Sequence, residues 1–197
     1  MKHNIITISR QYGSGGRLIG AKLAQQLNIP FYDKELITLA AKNNPIHASF
    51  FESAETKGTG GFVYPFNPGV PFELPLNDKV FLAQFAVIRE IASHGPCVIV
   101  GRCADDVLKD RYDLLKVFIF ADIEARKNRA ISQYGDAPEK VKQKIACLDK
   151  KRASYYHYYT QSKWGDVKNY HMCIDSAAIG LDGAVEAIRA AYLSTTD

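Results

Sequence analysis

The residues richest in chemistry in this 197-residue chain lie near its start, where Gly13, Ser14, Gly15 and Gly16 are followed at once by Arg17. Glycines so closely spaced open backbone conformations closed to other residues and let a ligand come against the main chain. Upstream, Ile5, Ile6 and Ile8 with Thr7 form a β-branched apolar run without clean alternation, which predicts a strand covered on both faces. Downstream, Leu18, Ile19, Ala21, Leu23, Ala24 and Leu27 follow the helical period. A strand, a glycine turn and a helix start together make an anion site, because the first N–H groups of a helix lack partners and its dipole favours negative charge. The expected anion is a phosphate.

Two phosphate loops fit such a stretch. A dinucleotide fingerprint, G-x-G-x-x-G, finds Leu18 where its last glycine belongs, although Asp33, about twenty residues on, suits a ribose partner. A P-loop leaves several residues between strand and lysine and then places lysine and Ser/Thr at the helix start; the interval Ser9 to Tyr12 favours that geometry, and Arg17 is the basic residue at the helix opening. A turn whose glycines serve packing alone is the third reading, and the adjacent arginine argues against it.

Further elements must position this loop. Lys34 to Ala41 reads as a short helix that Asp33 can cap. Asn43 to Asp78 carries Pro45, Pro65, Pro68, Pro71 and Pro75 among four glycines, a loop composition. Helical spacing returns from Asp78 to Ser93, followed by the strand Cys97 to Val100 with Gly101-Arg102 at its carboxyl end, where open parallel sheets bind ligands. For Arg102 the competing role is a surface ion pair with Asp105 or Asp106. Leu114 to Ala121 is the next strand, and Asp122 starts a polar helix with Arg126 and Arg129 on one face. Pro138 to Tyr159 reads as a long helix, ahead of the strand Met172 to Ile174 and a last amphipathic helix.

Several of these residues carry a family resemblance. Ile6-Thr7-Ile8, Gly13-Ser14-Gly15, Lys22 to Leu27 and Asp33 resemble the opening of bacterial cytidylate kinases, and Ser9 to Arg17 resembles more closely the cytidylate kinase-like family, a P-loop branch with a modified loop. The ungapped match from Ile6 to Asp33 puts Gly16 where the kinases have lysine and Leu18 where their threonine binds magnesium. Gly101-Arg102 is similar to the Gly-Arg that helps to hold the acceptor's phosphate. Asp122 to Arg129 is similar to the segment leading into the lid, Asp149-Lys150-Lys151-Arg152 to its D-x-x-R end, and Asp175-Ser176 to the D-S that closes the sheet.

The fold expected is a three-layer α/β P-loop kinase fold in one domain, residues 1–197, with parallel strands near 4–9, 29–32, 97–101, 114–121 and 171–174 and helices on both faces. The resemblance implies the strand order 2-3-1-4-5, an acceptor-side insertion at 43–78 and a lid at 126–165. It also implies phosphoryl transfer from ATP with Mg2+ to a small phosphorylated acceptor, a nucleoside monophosphate such as CMP. The nucleotide would meet Arg10, Gly13, Ser14, Gly15, Gly16, Arg17 and Leu18, with Arg17 or Arg10 standing in for the missing lysine. Arg126, Arg129 and Arg152 would close over the transferring group, Asp33, Arg102 and Asp149 would meet the acceptor, and Ser14, Ser9 or water would ligate magnesium. A kinase for another small molecule, a nucleotide-binding module without catalysis and a dinucleotide-dependent oxidoreductase are the alternatives.

Composition sets the outer bounds. With 47% hydrophobic residues and a net charge of +4, the chain can build a real core. It contains no apolar run of membrane-span length and no signal-peptide core, so a cytoplasmic location is expected. A modest net charge without a concentrated basic stripe argues against nucleic acid, for which Lys150 to Trp164 comes nearest. The aromatics of that segment, Tyr155 to Trp164, could stack a base, line a homodimer interface or pack the lid. Cys97, Cys103, Cys147 and Cys173 form no C-x-x-C pair and read as buried thiols.

Overall fold

The computed structural model describes residues 5–43 and 76–194. Five strands, β1 (Ile5–Arg10), β2 (Phe31–Tyr32), β3 (Cys97–Val100), β4 (Leu114–Phe120) and β5 (Met172–Asp175), form one sheet in the order β2-β3-β1-β4-β5. Every pairing is parallel. The α/β class, the parallel sheet and the strand order are therefore those expected. The insertion at 43–78 falls almost wholly outside the described residues.

The centre of the sheet explains the isoleucines of β1. Ile5 lies in register with Cys97 on one side and Leu114 on the other, so both of its edges are paired and both of its faces are covered. Alternate residues divide between two cores. Ile6 and Ile8 join Val98, Val100, Val117 and Ile119 beneath α1 (Gly16–Leu27) and the last helix (Gly180–Ser194), whose Ile19, Leu23, Val185 and Ile188 are buried. Ile5, Cys97, Ile99 and Leu114 face the other way, onto Ile37 of α2 (Lys34–Asn43), Val87 and Ile88 of α3 (Leu76–Ser93), and Val107 at the end of the short α4 (Ala104–Val107). Each such side chain contributes about 1.5–3 kcal/mol by leaving water.

Beyond β4, Asp122 caps α5 (Ile123–Tyr134) by accepting the Ala125 amide at 2.9 Å. The long helix α6 runs from Val141 to Thr160, later than Pro138, since residues 138–140 form a turn. A third small core of Ala130, Val141 and Ile145 joins α5 to α6 and takes Tyr12 of the glycine loop against it. After β5 comes α7, the helix Gly180–Ser194 already met.

The cysteines depart from expectation. Cys97 and Cys103 are buried, whereas Cys147 and Cys173 are exposed. Cys173 sits on β5, an edge strand of which only Ile174 is buried, and Cys147 lies off the face of α6 that carries Val141 and Ile145.

A Cβ on Gly20 would come within 2.9 Å of Val100 and 3.2 Å of both Ile8 and Phe31, so this glycine sets how closely α1 lies on the sheet. Gly20→Val should overpack that contact and cost about 1–3 kcal/mol, read as a lower midpoint in urea unfolding. An unchanged midpoint would mean that the helix shifts freely on the sheet.

Candidate active site

From Arg10 the chain turns through Gln11 to Gly15 into α1. Gly13 and Gly15 have φ of 79° and 81°, where a side chain is strained. Neither position has room for one either, because a Cβ on Gly13 would stand 2.6 Å from the Arg126 carbonyl oxygen and one on Gly15 would strike Leu181. The Ser14 amide donates to Gln11 O at 3.3 Å; among the described residues, none of the amides from Gly15 to Leu18 donates to a backbone carbonyl. They lie together at the start of α1, beside the carboxyl end of the central strand. Open amides so arranged at a helix start can hold an anion the size of a phosphate.

The other side of the loop exposes carbonyls, and arginines take them. Arg126 Nε donates to Tyr12 O at 2.7 Å, Arg129 Nη1 to Gly13 O at 2.6 Å and Arg152 Nη1 to Arg10 O at 3.0 Å. Asp149 completes the frame: it accepts the Tyr12 amide at 2.8 Å, pairs with Arg126 and stands 3.8 Å from Arg152. The Tyr12 hydroxyl donates to Asp136 at 2.9 Å, and Asp136 pairs with Lys144. Arg126, Arg129, Asp149 and Arg152 are thus brought together at the loop, their polar atoms directed at its backbone, and Asp149, expected to meet the acceptor, instead holds the Tyr12 amide and Arg126.

Arg17 is turned away from the loop. Its Nε meets Asp33 Oδ2 at 2.7 Å, while Asp33 Oδ1 accepts the Leu36 amide at 3.1 Å and caps α2. Burial, the largest influence on this carboxyl, pushes its pKa up; the Leu36 amide and the Arg17 guanidinium outweigh it and hold it below the usual carboxylate range.

Arg102 follows β3 with φ of 59°, a strained conformation for a residue with a side chain. It makes no ion pair with its acidic neighbours: Asp105 accepts the Tyr156 hydroxyl at 2.7 Å and Asp106 accepts Lys109 at 2.8 Å. Its guanidinium reaches Gln84 Oε1 at 3.4 Å and stands 5.1 Å from the centre of the Tyr155 ring.

Arg102 and Tyr155 also separate two cavities. One, of about 290 Å³, is walled by Arg10, Lys34, Gly101, Lys151, Arg152 and Trp164 among others. The second, of about 390 Å³, is walled chiefly by Val80, Phe81, Tyr155, Tyr158 and Tyr159, with Gln84 and Ser154 as polar groups. The aromatic tract of α6 is thus packed within the chain, Phe81 stacking on Tyr159 at 3.7 Å and Trp164 lying edge-on to Phe118, so it supplies no argument for a homodimer. Among the described residues the buried Tyr155 hydroxyl meets no strict hydrogen-bond geometry, although the Arg102 guanidinium lies close to it.

The magnesium ligands expected are weakly represented. Ser14 is fully buried and its hydroxyl donates to Gln11 O at 2.9 Å, so it is turned into the loop. Counted from Gly15, the general motif G-x-x-x-x-G-K-[ST] puts its hydroxyl at 17 rather than 18, and that position is Arg17. No cluster of three His, Cys, Asp or Glu suited to a metal occurs among the described residues. These residues do not build a magnesium site of their own.

Ser176 was not among the expected site residues. Its buried hydroxyl reaches Ser14 O at 2.6 Å and so ties the end of β5 to the glycine loop. The D-S pair was the available signal.

The model of the cytidylate kinase-like family matches residues 5–178. The chain belongs to the cytidylate kinase-like family. No curated protein matches it. Among solved structures, an uncharacterized protein from Eubacterium ventriosum is similar at 30% identity and a TM-score of 0.75, with 96% of this chain and 98% of that one covered. Shikimate kinase from Bacteroides thetaiotaomicron shares the fold at 17% identity and a TM-score of 0.55, over 95% of this chain and 96% of the other. Shikimate kinase from Acinetobacter baumannii, solved with shikimate, does so at 16% and 0.55, over 98% and 95%. This cytidylate kinase-like protein therefore has the fold of P-loop kinases. No helix among its described residues is long and apolar enough to cross a membrane.

Two variants probe the frame around the loop. Asp149→Asn leaves the buried Arg126 without its counter-charge and should cost about 3 kcal/mol in urea unfolding; a midpoint like that of the wild type would show that the pair does not hold the loop. Asp33→Asn keeps the cap but loses the ion pair. Because the folded-state pKa of Asp33 lies below its ordinary value of 3.8, the pair's stabilisation is complete above that value and lost as pH falls through the folded pKa. The melting-temperature gap between wild type and Asp33→Asn should therefore be present near neutral pH and close in acid; a gap independent of pH would assign the effect to packing.

Proposed function

We propose that the protein transfers the terminal phosphoryl group of ATP to a small phosphorylated acceptor, a nucleoside monophosphate such as CMP. The observation that carries this reading is the smaller cavity, in which Arg10 from the end of the donor-side strand and Arg102 from the end of its neighbour share one wall with Lys34, Lys151 and Arg152. So many cations around one space suit a polyanion, and phosphoryl transfer needs positioning and charge neutralisation more than a covalent nucleophile. In this reading the amides from Gly15 to Leu18 hold the donor phosphates, Arg102 holds the acceptor phosphate, and magnesium enters on the oxygens of the triphosphate.

The larger cavity favours an acceptor with a planar ring. Its aromatic walls offer stacking area, Gln84 and Ser154 offer hydrogen bonds, and Tyr155, which lines both cavities, would stand between ring and phosphate. A small acceptor without phosphate, such as the shikimate held by one of the structural neighbours, would leave those walls unused. Loss of lysine and hydroxyl from the loop keeps a second reading, a nucleotide-binding module without turnover.

Binding separates these readings from a dinucleotide site. ATP or GTP with magnesium should raise the melting temperature, with about 2.7 kcal/mol of stabilisation at a hundredfold excess over Kd; stabilisation by a nicotinamide dinucleotide and by neither triphosphate would overturn the proposal. Turnover then tests the acceptor in a screen of ATP consumption over nucleoside monophosphates and small alcohols. Arg102→Ala should raise KM for the phosphorylated acceptor about tenfold or more and leave KM for ATP unchanged. Consumption with an alcohol alone would replace the acceptor, and binding without consumption would favour the inactive module.

A further inference from the structure

The phosphate loop lacks its lysine, and three features of the fold bear on what replaces it. Counted back from Gly15, the motif G-x-x-x-x-G-K-[ST] sets its first glycine at position 10 and its lysine at position 16; this chain has Arg10 and Gly16 there. The two positions touch. A Cβ on Gly16 would fall 2.6 Å from Arg10 Cβ and 2.9 Å from Arg10 Cγ, so a side chain can leave from one of them only. Position 101 completes the passage, for a Cβ on Gly101 would strike the Arg10 guanidinium, whose Cζ would be 3.2 Å away.

We infer that the cation of the phosphate loop has changed places: Arg10 crosses the loop from the glycine position, lies over Gly16 and presents its guanidinium to the phosphates that a lysine at 16 would otherwise reach. This rests on the nucleotide site proposed above and decides between its two candidate arginines. Arg17 is compensated by Asp33 at 2.7 Å. Arg10 has no carboxylate in hydrogen-bond contact among the described residues and faces the cavity shared with Arg102 and Arg152. Burial, then the Arg152 and Arg102 charges, lower its pKa to about 9, with Glu35 and Asp33 opposing. It remains charged at neutral pH among cations that those two carboxylates offset only in part, so a bound anion would relieve the remaining repulsion. The exchange accounts for Arg10 and Gly16 together, which a packing role for Gly16 alone does not; Gly101, already favoured as glycine by its φ of 83°, leaves the guanidinium its room.

The test is calorimetric titration of the full chain with MgATP. Arg10→Met keeps the stem that packs on Gly16 and removes the charge, and should weaken MgATP about tenfold or more, the loss of one charge-assisted phosphate contact. Gly16→Lys alone should lower the melting temperature, because its stem collides with Arg10. The double variant Arg10→Gly with Gly16→Lys restores the ordinary arrangement and should recover affinity to within about threefold of wild type, since a lysine is a sound phosphate binder. Wild-type affinity in Arg10→Met, or a folded double variant as weak as Arg10→Met, would overturn the inference; should the double variant not fold, Arg10→Met decides alone. A wild type that binds no ATP or GTP would instead remove the nucleotide site itself.

Discussion

The turn from β1 into α1 has to leave its amides open, and that constraint governs most of what surrounds it. A tight turn that points its N–H groups at a ligand must point carbonyls elsewhere, and buried carbonyls need donors. Here Arg126, Arg129 and Arg152 supply them, one each to Tyr12, Gly13 and Arg10. Their charges in turn require Asp149, which also binds the Tyr12 amide. The helices α5 and α6 are held against the loop by this chain of needs, and the small core around Ala130 and Ile145 closes the space behind them.

The same arrangement alters how the arginines of this region are understood. A guanidinium hydrogen-bonded to a backbone carbonyl sets the shape of the glycine loop, and it brings positive charge close to the loop's open amides at the same time. Arg129 shows both effects: it touches Gly13 O, and its Nε would stand 3.4 Å from a Cβ on Gly15. Ser176 braces the loop from the opposite side through Ser14 O. The loop's geometry therefore depends on groups from β1, α5, α6 and the end of β5, which is why glycine is required at positions whose neighbours come from distant parts of the chain.

At the carboxyl end of β3, the strained backbone at Arg102 and Cys103, with φ of 59° and 53°, turns the chain sharply. That bend carries Arg102 away from Asp105 and Asp106 and toward Gln84 and Tyr155. Asp105 is left to a buried hydrogen bond with Tyr156 that ties α4 to α6, and burial, the dominant influence, raises its pKa. A cationic cavity and an aromatic one then share a border, Arg102 and Tyr155.

Local pattern was enough for much of this protein. The isoleucines of β1, the glycine turn, the helical period after it and the apolar strands at 97–100 and 114–120 determined the elements and the open amides of the glycine turn, because strand and helix periods and unpaired helix amides are properties of short stretches. The strand order came from the family resemblance and the sheet bears it out. Direction and pairing of side chains were decided only in three dimensions. The spacing of Arg126 and Arg129 put them on one face but could not say that the face meets the loop's carbonyls, and nothing near Arg17 in the chain announced that Asp33 would take its charge. The family resemblance marked Gly16 as the place of a missing lysine; only the fold, by bringing Arg10 over it and its guanidinium against Gly101, shows that a side chain already fills that space.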